Sequence, residues 1–405
     1  MSFEAWTSQN LNLKKDIKTN TYKLICLYFK PLPQTFFLYD LLDPLHGSLT
    51  VSQRALCLLR QAVDPHITIK DTIVTKVLKL ATVAALTLAA LSAQAATQPA
   101  VIYDTAGKFD KSFNEAVFRN GVEVYNKDKG VKVKEFEPQN EAQREQGLRR
   151  LASRGNGPIV AVGFNMGSAV EKVATEFPKT QFTIIDMVVD KPNVQSIIFK
   201  EHEGSFLVGA LAAIASKSGK VGFVGGMDIP LIRKFQCGYE QGAKYVNPKI
   251  EVFQNMTGST PAAFADPAKG AELAKSQFAK GADVVYAAAG GTGIGVYQAA
   301  KDEGKFAIGV DSNQNHLQPG TMLTSMVKSV GLAAYQTWDD AAKGTWKPGI
   351  KNLGLAEGGV DWALDKDNEK LITPEMKAKV EAIKADIIAG KVKVHDYMSD
   401  STCKY

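Results

Sequence analysis

The sequence has few of the residues that do covalent chemistry at a local signature. Only five of its 405 residues are histidine. Beyond residue 95 there remain His202, His316 and His395, none inside a catalytic motif. No G-x-S-x-G, H-E-x-x-H or C-x-x-C pattern occurs, which removes the usual markers of a nucleophile elbow, a zinc protease and a dithiol site. No metal-ligand spacing is evident, so no metal is expected. Carboxylates are plentiful, and acid–base work by Asp or Glu stays open. Four cysteines are too few for a disulfide scaffold. In an oxidising compartment Cys237 and Cys403 could pair, or they could be two unrelated thiols.

Charge of one sign is also lacking. Lys and Arg total 48 against 42 Asp and Glu, a net charge of +6. Ten of the basic and six of the acidic residues fall within residues 1–95, so the remainder is almost balanced. A general polyanion-binding surface is not expected, and no helix-turn-helix precedes the first strand. At 45% hydrophobic and 22% charged residues, the composition is globular and excludes disorder. The length suits two or three domains, or two lobes of one fold.

Residues 76–95 read KVLKLATVAALTLAALSAQA. Lys76 and Lys79 precede an apolar run, Leu80–Leu91, that ends at the small-x-small triplet Ala93-Gln94-Ala95. The run falls short of the ~20 residues that span a bilayer, and the order is that of a secretory signal. A true signal begins a chain, so residues 1–75 are read as an over-called start, with translation beginning near Ile73-Val74. No cysteine occupies the cleavage position, so a lipid anchor there is not supported.

From Pro99 onward, short apolar runs alternate with helical periods. One series of strands is predicted at Ala100–Tyr103, Val131–Phe136, Pro158–Gly163, Phe182–Ile185 and Val194–Phe199. A second follows at Val221–Gly225, Ile250–Phe253, Asp283–Ala287, Phe306–Val310 and Thr321–Met326. Helices such as Asn114–Asn126, Ser205–Ser216 and Leu231–Val246 lie between them. Strand and helix repeating without hairpin dipeptides predict parallel sheets covered on both faces. Ten strands divided near Lys217–Lys220 predict an α/β protein of two doubly wound lobes.

In such sheets, ligands collect beyond the carboxyl ends of the strands. Polar or aromatic residues followed by or near glycine stand there: Asp104 with Gly107, Gly163-Phe164-Asn165, and Asp311-Ser312-Asn313. The run Gly290-Gly291-Thr292-Gly293-Ile294-Gly295 follows a strand and opens a helix, with Asp311 ending the next strand. Its spacing is G-x-G-x-G rather than the dinucleotide G-x-G-x-x-G, so no nicotinamide cofactor is expected. What survives is a tight backbone near a ligand and a carboxylate suited to a sugar diol. Phe113 and Phe264 interrupt polar turn sequences. Each alone reads as a hydrophobic staple for the following helix; one from each lobe would make an aromatic clamp.

These motifs, taken in order, resemble the basic membrane protein family of ABC-transporter solute receptors, which includes bacterial purine-nucleoside receptors. The run Asp104-Thr-Ala-Gly107-Lys-Phe-Asp110-Lys-Ser112-Phe113-Asn114 matches the family's opening signature. Val224–Pro230, Phe235–Gly242, Phe264–Pro267, Ala289–Gly295, Gly309–Ser312 and Lys328 continue the match over residues 98–395. The resemblance implies a type I periplasmic-binding-protein fold, with a nucleoside base between Phe113 and Phe264. It implies Asn114 and Asp186 on the base edge, Asp311, Lys328 and the Gly290 backbone on the ribose, and Asp104 ordering the first loop. The expected partners are an inner-membrane permease and its ATPase subunits, and the expected location is the periplasm. A non-enzymatic monomer without cofactor is expected.

Two alternatives stay open: a receptor for a sugar or other small polar solute, and a secreted hydrolase or transferase using Asp104, Asp186 or Asp311. The expected lobes are residues 97–218 with 328–347, and 219–327 with 348–405. The chain is expected to cross between them near Ser218, Val327–Lys328 and Trp346–Pro348, allowing hinge closure.

Overall fold

The structure, a computed structural model, describes residues 97–405. The predicted leader at 1–75 and signal at 76–95 lie outside the described residues. Two six-stranded sheets organise the rest. The first holds β1 (Ala100–Ile102), β2 (Lys134–Phe136), β3 (Ile159–Ala161), β4 (Phe182–Ile185), β5 (Val194–Phe199) and β11 (Gly349–Leu353). Its order is β11-β5-β4-β3-β1-β2, parallel throughout. The second holds β6 (Lys220–Met227), β7 (Glu251–Gly258), β8 (Val284–Ala288), β9 (Phe306–Asp311), β10 (Met322–Lys328) and β12 (Val360–Trp362). Its order, β12-β10-β9-β8-β6-β7, repeats the plan of the first. The α/β class and the two doubly wound lobes expected from the sequence are what the chain adopts.

Alternation within buried strands builds the layers. In β1, Ala100 and Ile102 pack with Leu148, Phe182 and Ile184, while Val101, and Tyr103 just past the strand, pack on the opposite side with Val160 and Phe199. In β8, Val285 and Ala287 face one layer and Val284 and Tyr286 the other. A strand apolar on both faces must be covered on both. The layer between the lobes is shared: Val101 of one sheet and Phe223 of the other belong to one buried cluster.

Four expectations need correction. The helix Glu201–Ala215 belongs with the second lobe, so the first crossing is at Lys200 rather than Ser218. That helix lies tight against the helix Pro230–Val246, where a Cβ on Gly209 would come within 2.0 Å of the Tyr239 carbonyl oxygen. The polar turn at 217–220 is an ordinary helix-to-strand connection, with the N–H groups of Lys217 and Ser218 donating to Asp283. Second, Gly349–Leu353 joins the first sheet beside β5, so the last crossing is at Gly354–Gly359 rather than Trp346–Pro348, and 348–353 leaves the second lobe. Between these two, β10 ends at Lys328 and the helix that follows, Val330–Ala342, packs on the first lobe's opening helix. Third, β12 runs antiparallel to β10. Fourth, the first helix continues from Phe113 to Lys129 through a π-helical segment at Phe118–Glu123.

The three crossings lie side by side. The Lys200 N–H donates to the Leu353 carbonyl at 2.9 Å and the Ser329 N–H to the Gly359 carbonyl at 2.8 Å. Cys237 and Cys403 are joined in a disulfide, Cα to Cα 5.3 Å, which ties the C-terminal segment to the Pro230–Val246 helix.

Candidate functional site

The carboxyl ends of both sheets point into one cleft between the lobes, a common place for a small-molecule site. From the first lobe come the loop after β1, the turn after β3 and the end of β4. From the second come the helix after β6, the turn after β7, and the ends of β8, β9 and β10. All eight residues singled out from the sequence meet at its wall: Asp104, Phe113, Asn114 and Asp186 from one side, Phe264, Gly290, Asp311 and Lys328 from the other.

Asp186 and Asp311 occupy matching places, just past or at the end of the fourth strand of each sheet's sequence order. Both adopt left-handed backbone, φ 70° and 64°. Asp tolerates this region better than most side chains, yet such a conformation costs ~1–3 kcal/mol. That strain turns each carboxylate off the strand and into the cleft.

Lys328, at the end of β10, is the one cationic side chain on the wall among the described residues. Its ammonium lies 2.7 Å from Asp186 and 2.9 Å from Glu201. The rings of Phe199, Phe113 and Phe235 surround it at 5.0, 5.3 and 5.5 Å, within reach of cation–π attraction. Burial acts to deprotonate Lys328, but Asp186 and Glu201 outweigh it and hold the ammonium well above its ordinary value. Asp311 is shifted upward by burial, against the pull of Lys328 and of a hydrogen bond from Ser112.

The loop after β1 is held by its own polar groups. The Asp104 N–H donates to Asn114 Oδ1 at 3.1 Å, and Asn114 Nδ2 donates to the Gly107 carbonyl at 3.1 Å. Asp104 Oδ1 accepts from the Thr105 N–H and from Asn165 Nδ2. Asp104 is thus tied to Thr105, Asn114 and Asn165 around that loop. Asn114 is mostly committed to it, leaving one amide hydrogen for a ligand.

Sequence reasoning gave no role to three further wall residues with clear chemistry. Asp110 accepts the N–H groups of Ser112, Asn114 and Glu115 at 2.9, 2.9 and 3.0 Å, satisfying the open end of the first helix. Burial raises its carboxyl to about 7, against those three donors. An Asp two residues ahead of a helix-opening Ser was the available signal. Phe164 stood in a strand-end motif, and its ring meets that of Phe264 across the cleft, centroids 6.4 Å apart and edge-on. Phe235 lies within a helical period and reads as core. Phe264 itself is seated on Gly226, where a Cβ would fall 2.2 Å from the ring.

The wall therefore combines aromatic faces from both lobes with four carboxylates and one ammonium. That surface accepts hydrogen bonds from a neutral, donor-rich ligand and repels anions. His202 lies behind the wall, its imidazole shifted down to about 4 by burial.

Two α/β lobes joined by three adjacent crossings, with such a cleft between them, define a substrate-binding protein. The chain belongs to the family described as ABC transporter substrate-binding protein PnrA-like, whose family model matches residues 98–397. A Lactococcus lactis protein named ABC transporter nucleoside-binding protein BmpA is 33% identical over 318 residues, covering 73% of this chain and 88% of that one. A Listeria monocytogenes protein named CD4+ T-cell-stimulating antigen is equally similar, at 33% over 73% of this chain and 87% of its own. Among solved structures, an ABC transporter solute-binding protein from Aeropyrum pernix K1 superposes with a TM-score of 0.67 at 30% identity, over 73% of this chain and 92% of that one. A solute-binding protein from Conexibacter woesei shares the fold, TM-score 0.62 at 23% identity, over 75% and 99%.

Proposed function

We propose that this substrate-binding protein is a periplasmic receptor that closes on a purine nucleoside and delivers it to an inner-membrane permease powered by ATPase subunits. One observation carries the reading: phenylalanines of both lobes, Phe113 and Phe164 from one and Phe235 and Phe264 from the other, line the same cavity as Asp186, Asp311 and Lys328. A flat heteroaromatic base gains ~1–3 kcal/mol from an aromatic face. A carboxylate accepts two ribose hydroxyls at once. The nucleoside-binding name of the Lactococcus relative supports the same ligand class.

In this reading Phe113 and Phe264 hold the base, Asp186 and the free hydrogen of Asn114 read its edge, and Asp311, Lys328 and the Gly290 backbone hold the ribose. Asp104 acts by ordering the loop that carries Phe113. The receptor acts as a monomer and leaves the nucleoside intact. Mass spectrometry of the copurifying small molecule, then calorimetry with adenosine, guanosine, inosine, cytidine and ribose, tests this. Tight binding of a purine nucleoside is expected. Ribose binding as well as adenosine would move the protein to the sugar receptors, and steady release of free base would make it an enzyme.

A further inference from the structure

A line of buried charges runs from the cleft to the C-terminal segment. Lys328 reaches Asp186 on the cleft wall and Glu201 behind it. Glu201 also meets Lys234 at 3.1 Å, and Lys234 lies 3.5 Å from Asp396. The side chains of Lys328, Glu201 and Lys234 are 1%, 1% and 5% exposed. Signs alternate along the whole line: Asp186, Lys328, Glu201, Lys234, Asp396. Only Asp186 and Lys328 reach the cavity. Lys234 also donates to the Phe199 carbonyl at 2.6 Å, beside the first crossing at Lys200. Asp396 is brought in by the segment tied through Cys237–Cys403, where the His395 N–H donates to Gln241 and Gln241 donates to the His395 carbonyl.

An ammonium has three donors. One of those on Lys328 goes to Asp186, Glu201 holds the ammonium by charge at 2.9 Å, and Lys328 itself lines the cavity. With Glu201 neutral, Lys328 would keep one carboxylate and swing toward it, while Lys234 would stand buried without its closest anion.

We propose that Glu201 is a positioning residue of the ligand site, fixing the place of Lys328 without touching ligand, and that Lys234 and Asp396 hold Glu201 in turn. The C-terminal segment is then part of the binding site's support. Where it concerns ribose, this rests on the nucleoside reading of the cleft; the arrangement of Lys328 does not.

The first test needs no ligand. In protein labelled with 15N-lysine, Lys328 and Lys234 should give slowly exchanging ammonium signals, assigned by Lys328→Met and Lys234→Met. Glu201→Gln should shift or broaden both signals, and Asp396→Asn should move that of Lys234 more than that of Lys328. An unchanged Lys328 signal in folded Glu201→Gln overturns the proposal. If that variant does not fold, Asp396→Asn decides, and a Lys234 signal unmoved there overturns it equally. Calorimetry follows with adenosine and adenine. Glu201→Gln should weaken adenosine about tenfold or more, the scale of one lost charge-assisted hydrogen bond, and adenine less than twofold. Equal weakening of both would mean that Glu201 merely packs. Wild-type protein that binds neither probe, with the ammonium signals behaving as expected, would reject the nucleoside reading and leave the positioning role standing.

Discussion

Ser112 donates a hydrogen bond from its hydroxyl to Asp311 Oδ2 at 2.6 Å, joining residues 199 positions apart in the chain and on opposite walls of the cleft. Both side chains are buried. Beside them, Gln314 Nε2 donates to the Lys111 carbonyl at 2.7 Å. The lobes are thus drawn together at the point where the carboxylate assigned to ribose emerges.

Removing that bond should favour the open arrangement. Ser112→Ala leaves Asp311 short of a donor only when the lobes are closed, because water supplies one when they part. Nucleoside binding should weaken by about 1.5–3 kcal/mol, the scale for a hydrogen bond to a charged group. Small-angle scattering of the ligand-free variant should give a larger radius of gyration than wild type. An unchanged radius and affinity would show that the contact does not govern closure.

Loss of an aromatic face should be read directly in affinity. Phe113→Ala or Phe264→Ala should cost roughly 1–3 kcal/mol of nucleoside binding. Phe164→Ala, whose ring meets Phe264 edge-on, should act in the same direction and more weakly. Calorimetry on the three variants ranks them, and a Phe164 effect exceeding both others would reassign the clamp.

Asp311→Ala should separate sugar from base. Nucleosides should bind much more weakly, while a free purine base should be little affected. Equal losses for nucleoside and base in calorimetry would remove Asp311 from the ribose.

Asp110 should impose a pH dependence on stability. Its carboxyl lies at about 7 in the folded protein, against ~3.9 for an ordinary Asp. A folded value raised above the unfolded one contributes stability that is complete below about 4 and is lost as pH rises through about 7. Asp110→Asn removes this contribution. Melting temperatures measured from pH 4 to 8 should therefore show wild type losing ground to the variant over that interval. A constant difference across the series would refute the shift.

Of the eight wall residues, Asp104, Gly290 and Asp311 could be read from strand ends, whereas Asn114, Asp186 and Lys328 were implied only by the resemblance to the family. An apolar run closing on Asp104, Gly290 or Asp311 is a local pattern, and the open α/β sheet puts all such ends on one side. Phe113 and Phe264 stood out because turn sequences rarely carry large aromatics. Phe235 and Glu201 gave no such signal. One falls on a helical period, where an aromatic reads as core, and the other reads as an ordinary acid in a helix's first turn.

What the sequence by itself determined was the alternation of strand and helix, the two-lobed class and those cleft residues that close an apolar run or interrupt a polar turn, all carried by patterns within a few positions of one another. The tertiary structure alone decided where the chain passes between lobes. A polar turn such as 217–220 has the composition of a linker whether or not it links anything. The side of the molecule taken by the Glu201–Ala215 helix depends on Gly209 and Gly242 admitting the backbone of a helix some thirty residues away. Likewise β11 joins the first sheet through backbone hydrogen bonding to Gln195–Phe199, over 150 residues earlier. Backbone pairing of that kind is nearly blind to side-chain identity, so it leaves little trace in the local sequence. The same holds for the charges behind Lys328. Five residues spread from 186 to 396 become one line only when β4, β10, two helices and the C-terminal segment are packed together, because a buried charge must find its partner in space rather than along the chain.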